Sequence, residues 1–223
     1  MRPADNPQTA GLLDRVALAP GDELSALREF GERRHWHVGA KLLRQGEHPR
    51  FLYVIEHGEV ALWDESPGGE QRLVQIVHAR ASVGDLPVLL EQPCPYTAVT
   101  RVPTDTLAFN KNMVRDLLAL DPQICFVWIR LLANRVAGGY PRTVALAGRS
   151  AVERVARFAL DEAGANGGSY LRLTQAELAS ATGLSRQRVA GVLGTFERLG
   201  AVERGRGCIR ILNADRLQAM LPR

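Results

Sequence analysis

Three hydrogen-bond donors stand side by side at Arg186-Gln187-Arg188. A guanidinium can span O6 and N7 of guanine, a glutamine amide can span N6 and N7 of adenine, and either arginine can hold a phosphate. Such donors are useful only if something presents them at one end of a rigid element. The residues before them supply the signals for one. Ser185 is a helix-capping type, and Val189, Val192, Leu193 and Phe196 follow at i, i+3, i+4 and i+7, an inward stripe with the donors outside it. Upstream, Thr174 and Glu177 have capping-box spacing and start a first helix, with Leu178 and Ala179 turned inward. Gly183 supplies a turn with positive φ, and Leu184 plugs the corner. The arrangement predicts a helix-turn-helix whose second helix fits a major groove about 12 Å wide. Ala190, Gly191 and Gly194 leave that helix slim. A hairpin follows, Ala201–Arg204 then Cys208–Leu212, with Arg204 and Arg206 flanking its tip as a wing. Thr174 and Ser185 stand at helix N-termini, where phosphate is also held.

Other chemistries find less support. His35-Trp36-His37 places two imidazoles on one strand face, and with Glu47 and His78 it sketches a metal enzyme on a cupin-like barrel. The interval from His37 to Glu47 does not suit that motif, and His35 reads as lying before the strand. Cys94, Cys125 and Cys208 are odd in number and lack CxxC spacing, which argues against disulfide frameworks, zinc ribbons and iron–sulfur nests. His35, His37, His48, His57 and His78 carry no pattern that singles out a haem ligand. No nucleophile elbow, phosphate-cradling lysine loop or HExxH helix occurs, so the expectation is a non-enzyme without a metal or resident cofactor.

The 223 residues are 46% hydrophobic and 23% charged, ordinary globular figures that exclude a disordered chain. The formal charge of +4 is unevenly spread: residues 142–223 hold thirteen arginines against seven carboxylates, and the remainder is slightly acidic. A basic third on an acidic body suits a polyanion partner. No apolar run approaches the length of a membrane span, and the first residues have no export-signal character, so a cytoplasmic protein away from membranes is expected. The pattern predicts short helices at Leu12–Leu18 and Asp22–Glu32, then strands at Phe51–Ile55, Val60–Trp63, Arg72–Val77 and Ala98–Phe109 broken at Pro103, spaced as in a β sandwich or roll. Val114–Leu120 reads as a helix, and Asp121-Pro122 opens a longer one. Along it Ile124, Val127/Trp128, Leu131/Leu132, Val136 and Gly139/Tyr140 form a seam suited to pairing with a second copy or to packing on the β domain. Gly138-Gly139 and Pro141 should bend it. Arg154–Glu162 is helical, and Gly164–Ser169 reads as a loop.

The stretch RLTQAELASATGLSRQRVAGVLGTFERLGAVERGRGCIRIL resembles the winged helix of the Crp–Fnr family of bacterial transcription regulators. LLRQGEHPRFLYVIEHGEVALW resembles the family's β-roll, and the likeness runs over roughly residues 22–220. It implies an α+β fold in three parts. Residues 1–120 would be a cyclic-nucleotide-binding-type β-roll (a jelly roll) serving as sensor, 121–147 a long dimerisation helix and hinge, and 148–223 a winged helix-turn-helix. It further implies a homodimer reading a palindromic operator in double-stranded DNA, with RNA polymerase as partner. The effector pocket would be lined by Gly84, Asp85, Leu86, Tyr96, Thr97 and Tyr140. In cyclic-AMP-responsive members, Gly-Glu opens and Arg-Ser closes the phosphate cassette. Here Asp85 is one methylene short, and Tyr96-Thr97 closes without an arginine. Pro87, Pro93 and Pro95 remove backbone donors. Arg101 shares the strand face of Thr97 but lies about 13 Å farther along. The pocket therefore suits an uncharged or aromatic ligand, or its own side chains, better than a phosphodiester. A cyclic-nucleotide-responsive regulator is the alternative.

Overall fold

The computed structural model describes residues 27–120, 125–133, 150–166 and 168–221. Its internal contacts gather into two units, one over 27–60 with 79–133 and one over 61–78 with 150–221.

The first unit is built on antiparallel strands. β1 (Glu32–Trp36), β8 (Thr104–Asn110), β3 (Phe51–His57) and β6 (Ser82–Val83) form one sheet in the order β1-β8-β3-β6. β2 (Lys41–Leu43) pairs with β7 (Thr97–Thr100) in a second sheet, of order β2-β7-β4-β5, where β4 is Glu59–Glu65 and β5 is Gln71–His78. Register sets what β6 delivers. Tyr53 and Val54 pair with Val83 and Ser82, so the chain leaves the sheet directly into Gly84 and the short helix α1 (Asp85–Leu89). Helix α2 (Lys111–Leu120) and a helical stretch at 125–133, here α3, close the unit. Its core joins Leu52, Val54, Leu107, Phe109 and Val114 to Val127, Trp128 and Leu131, with the Trp128 ring edge-on to Phe109 at 5.5 Å.

That core corrects one expectation. Val127, Trp128 and Leu131 are 0%, 2% and 7% exposed, so this part of the apolar seam packs on the β domain of its own chain. Phe126 and Ile129, 43% and 54% exposed, are the large apolar side chains left outside, and Leu132 is half-buried. Ile124, Val136 and the Gly138–Pro141 step lie outside the described residues. The helix expected over Asp22–Glu32 stops early: among the described residues it is helical at 27–28 alone, and Glu32 already begins β1. His35 thus stands within a strand, not before it.

The second unit joins the hairpin β4–β5 to the C-terminal segment. β4 (Glu59–Glu65) starts in the first unit and ends in the second, and β5 (Gln71–His78) returns. Then come α4 (Ala151–Asn166), β9 (Tyr170–Leu171), α5 (Gln175–Thr182), α6 (Arg186–Arg198), β10 (Val202–Gly205), β11 (Cys208–Ile211) and α7 (Ala214–Gln218). α4 extends through the first three residues of the expected Gly164–Ser169 loop, ending at Asn166. The strands pair as β10-β11-β9, a three-stranded wing rather than a bare hairpin. One apolar cluster holds Val155, Leu178, Val189, Leu193, Phe196 and Ile209, and the hairpin residues Ala61, Leu73 and Ile76 belong to it.

Candidate nucleic-acid interface and effector pocket

The reader is assembled from local chemistry. Thr174 caps α5 by accepting from the Glu177 amide at 3.2 Å, while the Glu177 carboxylate accepts from the Thr174 amide at 2.7 Å. Two of the donors left unpaired at a helix start are thereby satisfied. Gly183 ends the helix at φ 64, in the left-handed region where a side chain is strained. Arg154 of α4 caps the same end, its Nη1 donating to the Thr182 carbonyl at 3.1 Å. Ser185 then starts α6, its hydroxyl accepting from the Arg188 amide at 3.2 Å. Val189, Val192, Leu193 and Phe196 are all buried. The stripe leaves Arg186, Gln187 and Arg188 exposed together at the N-terminal end of α6, where backbone N–H groups add to their donors.

Beside them runs a groove of about 610 Å3 lined by Ser185, Gln187, Arg188, Gly191, Thr195 and Val152 of α4. A Cβ at Gly191 or Gly194 would meet nothing within 4 Å, so the chain's own packing does not demand glycine at either position. The far end of α6 is held by Arg216, whose Nη1 donates to the Leu199 carbonyl. Arg198 turns back onto the Gly194 carbonyl and the Thr195 hydroxyl.

The two wing arginines differ. Arg204 lies in β10, with its amide donating to Glu197 Oε1 at 3.0 Å and its guanidinium to Glu197 Oε2 at 2.5 Å. Its hydrogen-bonded guanidinium holds the Glu197 carboxyl below the usual carboxylate range, and the carboxylate in turn raises Arg204. Arg206 sits exposed in the turn between β10 and β11. Farther along, Arg210 pairs with Glu203 at 3.6 Å and lies 5.5 Å from the Tyr170 ring. Glu197, Arg154 and Arg216 were not singled out from sequence. Only the tertiary approach of distant segments gives them partners, and nothing in their local spacing announces it.

Of the residues expected at the effector pocket, Gly84 engages Tyr96 and Asp85 engages Leu86. Gly84 has φ 83, and a Cβ there would lie 3.0 Å from Leu43 Cδ1 and 3.3 Å from the Phe51 carbonyl. Its amide donates to the Tyr96 hydroxyl at 3.1 Å. Asp85 is fully buried, its carboxylate accepting from the Ser82 hydroxyl at 2.9 Å and from the Leu86 amide at 3.0 Å. Thr97 Oγ1 accepts from the Gln45 amide at 3.1 Å. Tyr96 is 5% exposed, while Leu86 is 43% exposed. Tyr140 lies outside the described residues. Ser82 and Gln45, which orient two pocket side chains, carry no sequence signal for that role.

His35 Nδ1 faces Asp105 at 2.6 Å and His78 Nε2 faces Glu162 at 2.7 Å, so two histidines of the metal-site sketch have single carboxylate partners in different units. Among the described residues, no three His, Cys, Asp or Glu side chains gather as a metal site, and no helix is long and apolar enough to cross a membrane.

Comparison with known proteins agrees with both halves. A profile described as the Crp-like helix-turn-helix domain matches residues 153–220, and one described as the cyclic nucleotide-binding domain matches 33–121. The chain is 29% identical over 200 residues to the HTH-type transcriptional regulator Cmr of Mycobacterium tuberculosis, covering 89% of this chain and 80% of that one. It is 26% identical to the cyclic AMP receptor protein of Thermus thermophilus, over 90% of this chain and 93% of that one. A CRP/FNR-family transcriptional regulator from Thermus thermophilus superposes with a TM-score of 0.73 at 23% identity, over 85% and 97% of the two chains. These relatives are regulators, not enzymes, which sets the cupin-like enzyme aside. The chain belongs to the Crp–Fnr family and is a DNA-binding transcription regulator with a cyclic-nucleotide-binding-type domain.

Proposed function

We propose that the protein acts in the cytoplasm as a two-fold dimer that reads a palindromic operator and meets RNA polymerase there. The observation that carries this reading is the exposed Arg186-Gln187-Arg188 run at the capped start of α6. In the proposed complex α6 lies in the major groove, Arg186 takes guanine, and Gln187 and Arg188 divide base and phosphate contacts. Thr174 and Ser185 hold phosphates at their helix starts. Arg206 supplies a wing contact, whereas Arg204 is partly neutralised by Glu197. The exposed Phe126 and Ile129 of α3 form the self-pairing face, because their neighbours are consumed inside the unit. Two-fold symmetry would set the recognition helices about 34 Å apart, one helical turn of DNA.

The sensor pocket in this reading is not tuned to cyclic AMP. No arginine stands in the closing pair, Tyr96 already occupies the Gly84 amide, and the Asp85 carboxylate is spent on Ser82 and Leu86. A phosphodiester placed there would lose its hydration without gaining a cation. The alternative, a cyclic-AMP-responsive regulator, is favoured by the name of the Thermus thermophilus relative. Selection of bound duplexes from a random pool, with and without cyclic AMP, tests both parts. A two-fold symmetric consensus recovered equally in both arms is expected. No enrichment would overturn the reader assignment, and enrichment only with nucleotide would overturn the pocket assignment.

A further inference from the structure

The turn between α5 and α6 sets the angle at which the second helix departs, and its backbone leaves that angle loose. Gly183, at φ 64, joins the end of α5 to Leu184 and the Ser185 cap. Glycine has the widest conformational range of any residue, so the chain alone does not fix the turn. Two amides fold back onto α5, Gly183 donating to the Ser180 carbonyl at 3.2 Å and Leu184 to the Ala179 carbonyl at 2.9 Å. The carbonyls of Thr182 and Gly183, at the helix end, need donors from outside the helix. One guanidinium serves both. Arg154, near the start of α4, has its Nη1 donating to the Thr182 carbonyl at 3.1 Å and to that of Gly183 at 3.5 Å.

The contact is made from a firm support and at a polar cost. Val155 and Ala156, next along α4, are fully buried in the cluster that also holds Leu178, Val189 and Phe196. Arg154 Nε is buried without an acceptor among the described residues, while its Nη1 brings positive charge to a helix C-terminus, where the backbone is partly negative. Two residues earlier, Val152 lines the groove beside Gln187 and Arg188, so the first turn of α4 meets both the turn and the start of α6. All of these residues lie within the second unit. We infer that Arg154 is a positioning residue for DNA reading: it ties the glycine turn to α4 and so fixes the direction in which α6 presents Arg186, Gln187 and Arg188. This role rests on the proposed placement of α6 in the major groove. Bidentate bonds to base edges tolerate little angular error, whereas attraction to phosphates is nearly indifferent to a small rotation of the helix. Loss of the clamp therefore costs discrimination between sequences rather than general affinity for DNA.

The test uses the full chain, the operator recovered by selection and a scrambled duplex of equal length. Arg154→Met keeps the apolar stem and removes the donor, Arg154→Lys keeps the charge, and Arg157→Met removes an equal charge from α4 outside the clamp. Arg154→Met should bind the operator about tenfold more weakly, the order expected for a lost hydrogen bond to a charged group. Its affinity for the scrambled duplex should stay within about twofold of wild type, and its salt slope should be unchanged, because no phosphate contact is removed. Arg154→Lys should recover part of the loss, and Arg157→Met should discriminate as the wild type does. Hydrogen exchange should quicken at the amides of Gly183, Leu184 and Arg188 and stay unchanged at 208–211. Equal losses on the two duplexes would overturn the inference, since a merely structural role lowers both through the folded fraction. A flattened salt slope would also overturn it, by making Arg154 a phosphate ligand. Should Arg154→Met fail to fold, Arg154→Gln, whose neutral amide is too short to reach the turn, takes its place in the same comparison. Failure of the selection itself to yield an operator would instead count against the proposed function.

Discussion

The helix-turn-helix and the segments around Gly84 put similar polar groups to opposite uses. At the start of α6, Arg186, Gln187 and Arg188 are exposed and aimed outward, while the stripe behind them packs and the caps satisfy the backbone. Around Gly84, the side chains are turned on one another. Tyr96 accepts from Gly84, Asp85 accepts from Ser82, and Thr97 accepts from Gln45. An outward set keeps its hydrogen-bonding capacity for a partner, whereas an inward set has already spent it. α3 repeats the lesson with apolar residues, since Val127, Trp128 and Leu131 are consumed by the β domain and Phe126 and Ile129 are not.

The largest test of this contrast lies on α3. Trp128→Ala should destabilise the first unit by about 3–5 kcal/mol, the range for deleting a large buried aromatic, as read from denaturant unfolding. Ile129→Asp, one residue along, should leave the unfolding midpoint nearly unchanged and instead halve the mass seen by light scattering. A fully dimeric Ile129→Asp protein would break the inside–outside division.

At the reader, Arg186→Ala should cost roughly 1–3 kcal/mol of operator binding and relax preference at one symmetric base pair. Arg206→Ala should weaken all duplexes alike and lower the salt slope, and Arg204→Ala should change that slope less because Glu197 shares its charge. Equal slopes for the two wing variants would mean that the Glu197 pair opens on DNA.

At the pocket, titration calorimetry with millimolar cyclic AMP should show no saturable heat for the wild type. Tyr96→Arg, which frees the Gly84 amide and supplies a cation, should gain measurable nucleotide binding. Micromolar binding by the wild type would erase the distinction between spent and available donors.

Smaller effects separate folding from reading on α6 itself. Gly191→Ala should stabilise the fold by about 0.5–1 kcal/mol, the usual gain of alanine over glycine within a helix, since its methyl meets nothing inside the chain. The same methyl should weaken operator binding if DNA lies close to that face. The smallest effect is acidic. Arg204 holds the Glu197 carboxyl below its ordinary value of 4.5, so the pair's stabilisation is complete above that pH and is lost as pH falls through the lowered value. Nuclear magnetic resonance of the wing amides should show the Arg204 N–H shifting as the solution is acidified below pH 4.5.

Much of this molecule was legible residue by residue. The capping box at Thr174–Glu177, the left-handed Gly183, the Ser185 cap and the buried stripe Val189–Phe196 depend on neighbours within one or two turns, so their chemistry is written in local spacing. Strands at Phe51, Val60, Arg72 and Ala98 show themselves for a related reason, because β-branched runs are bounded by turn residues. α1 was hidden by its five-residue length and its proline, and β9 by having only two residues. What sequence alone determined is the reader: a capped, amphipathic helix with donors at its start, whose local pattern already specifies both structure and outward chemistry. Tertiary structure decided which side of α3 is consumed, which arginines are committed to carbonyls or to Glu197, and that Tyr96 meets Gly84. Those outcomes depend on segments far apart in the chain arriving at hydrogen-bond distance, and neither periodicity nor composition encodes such distances.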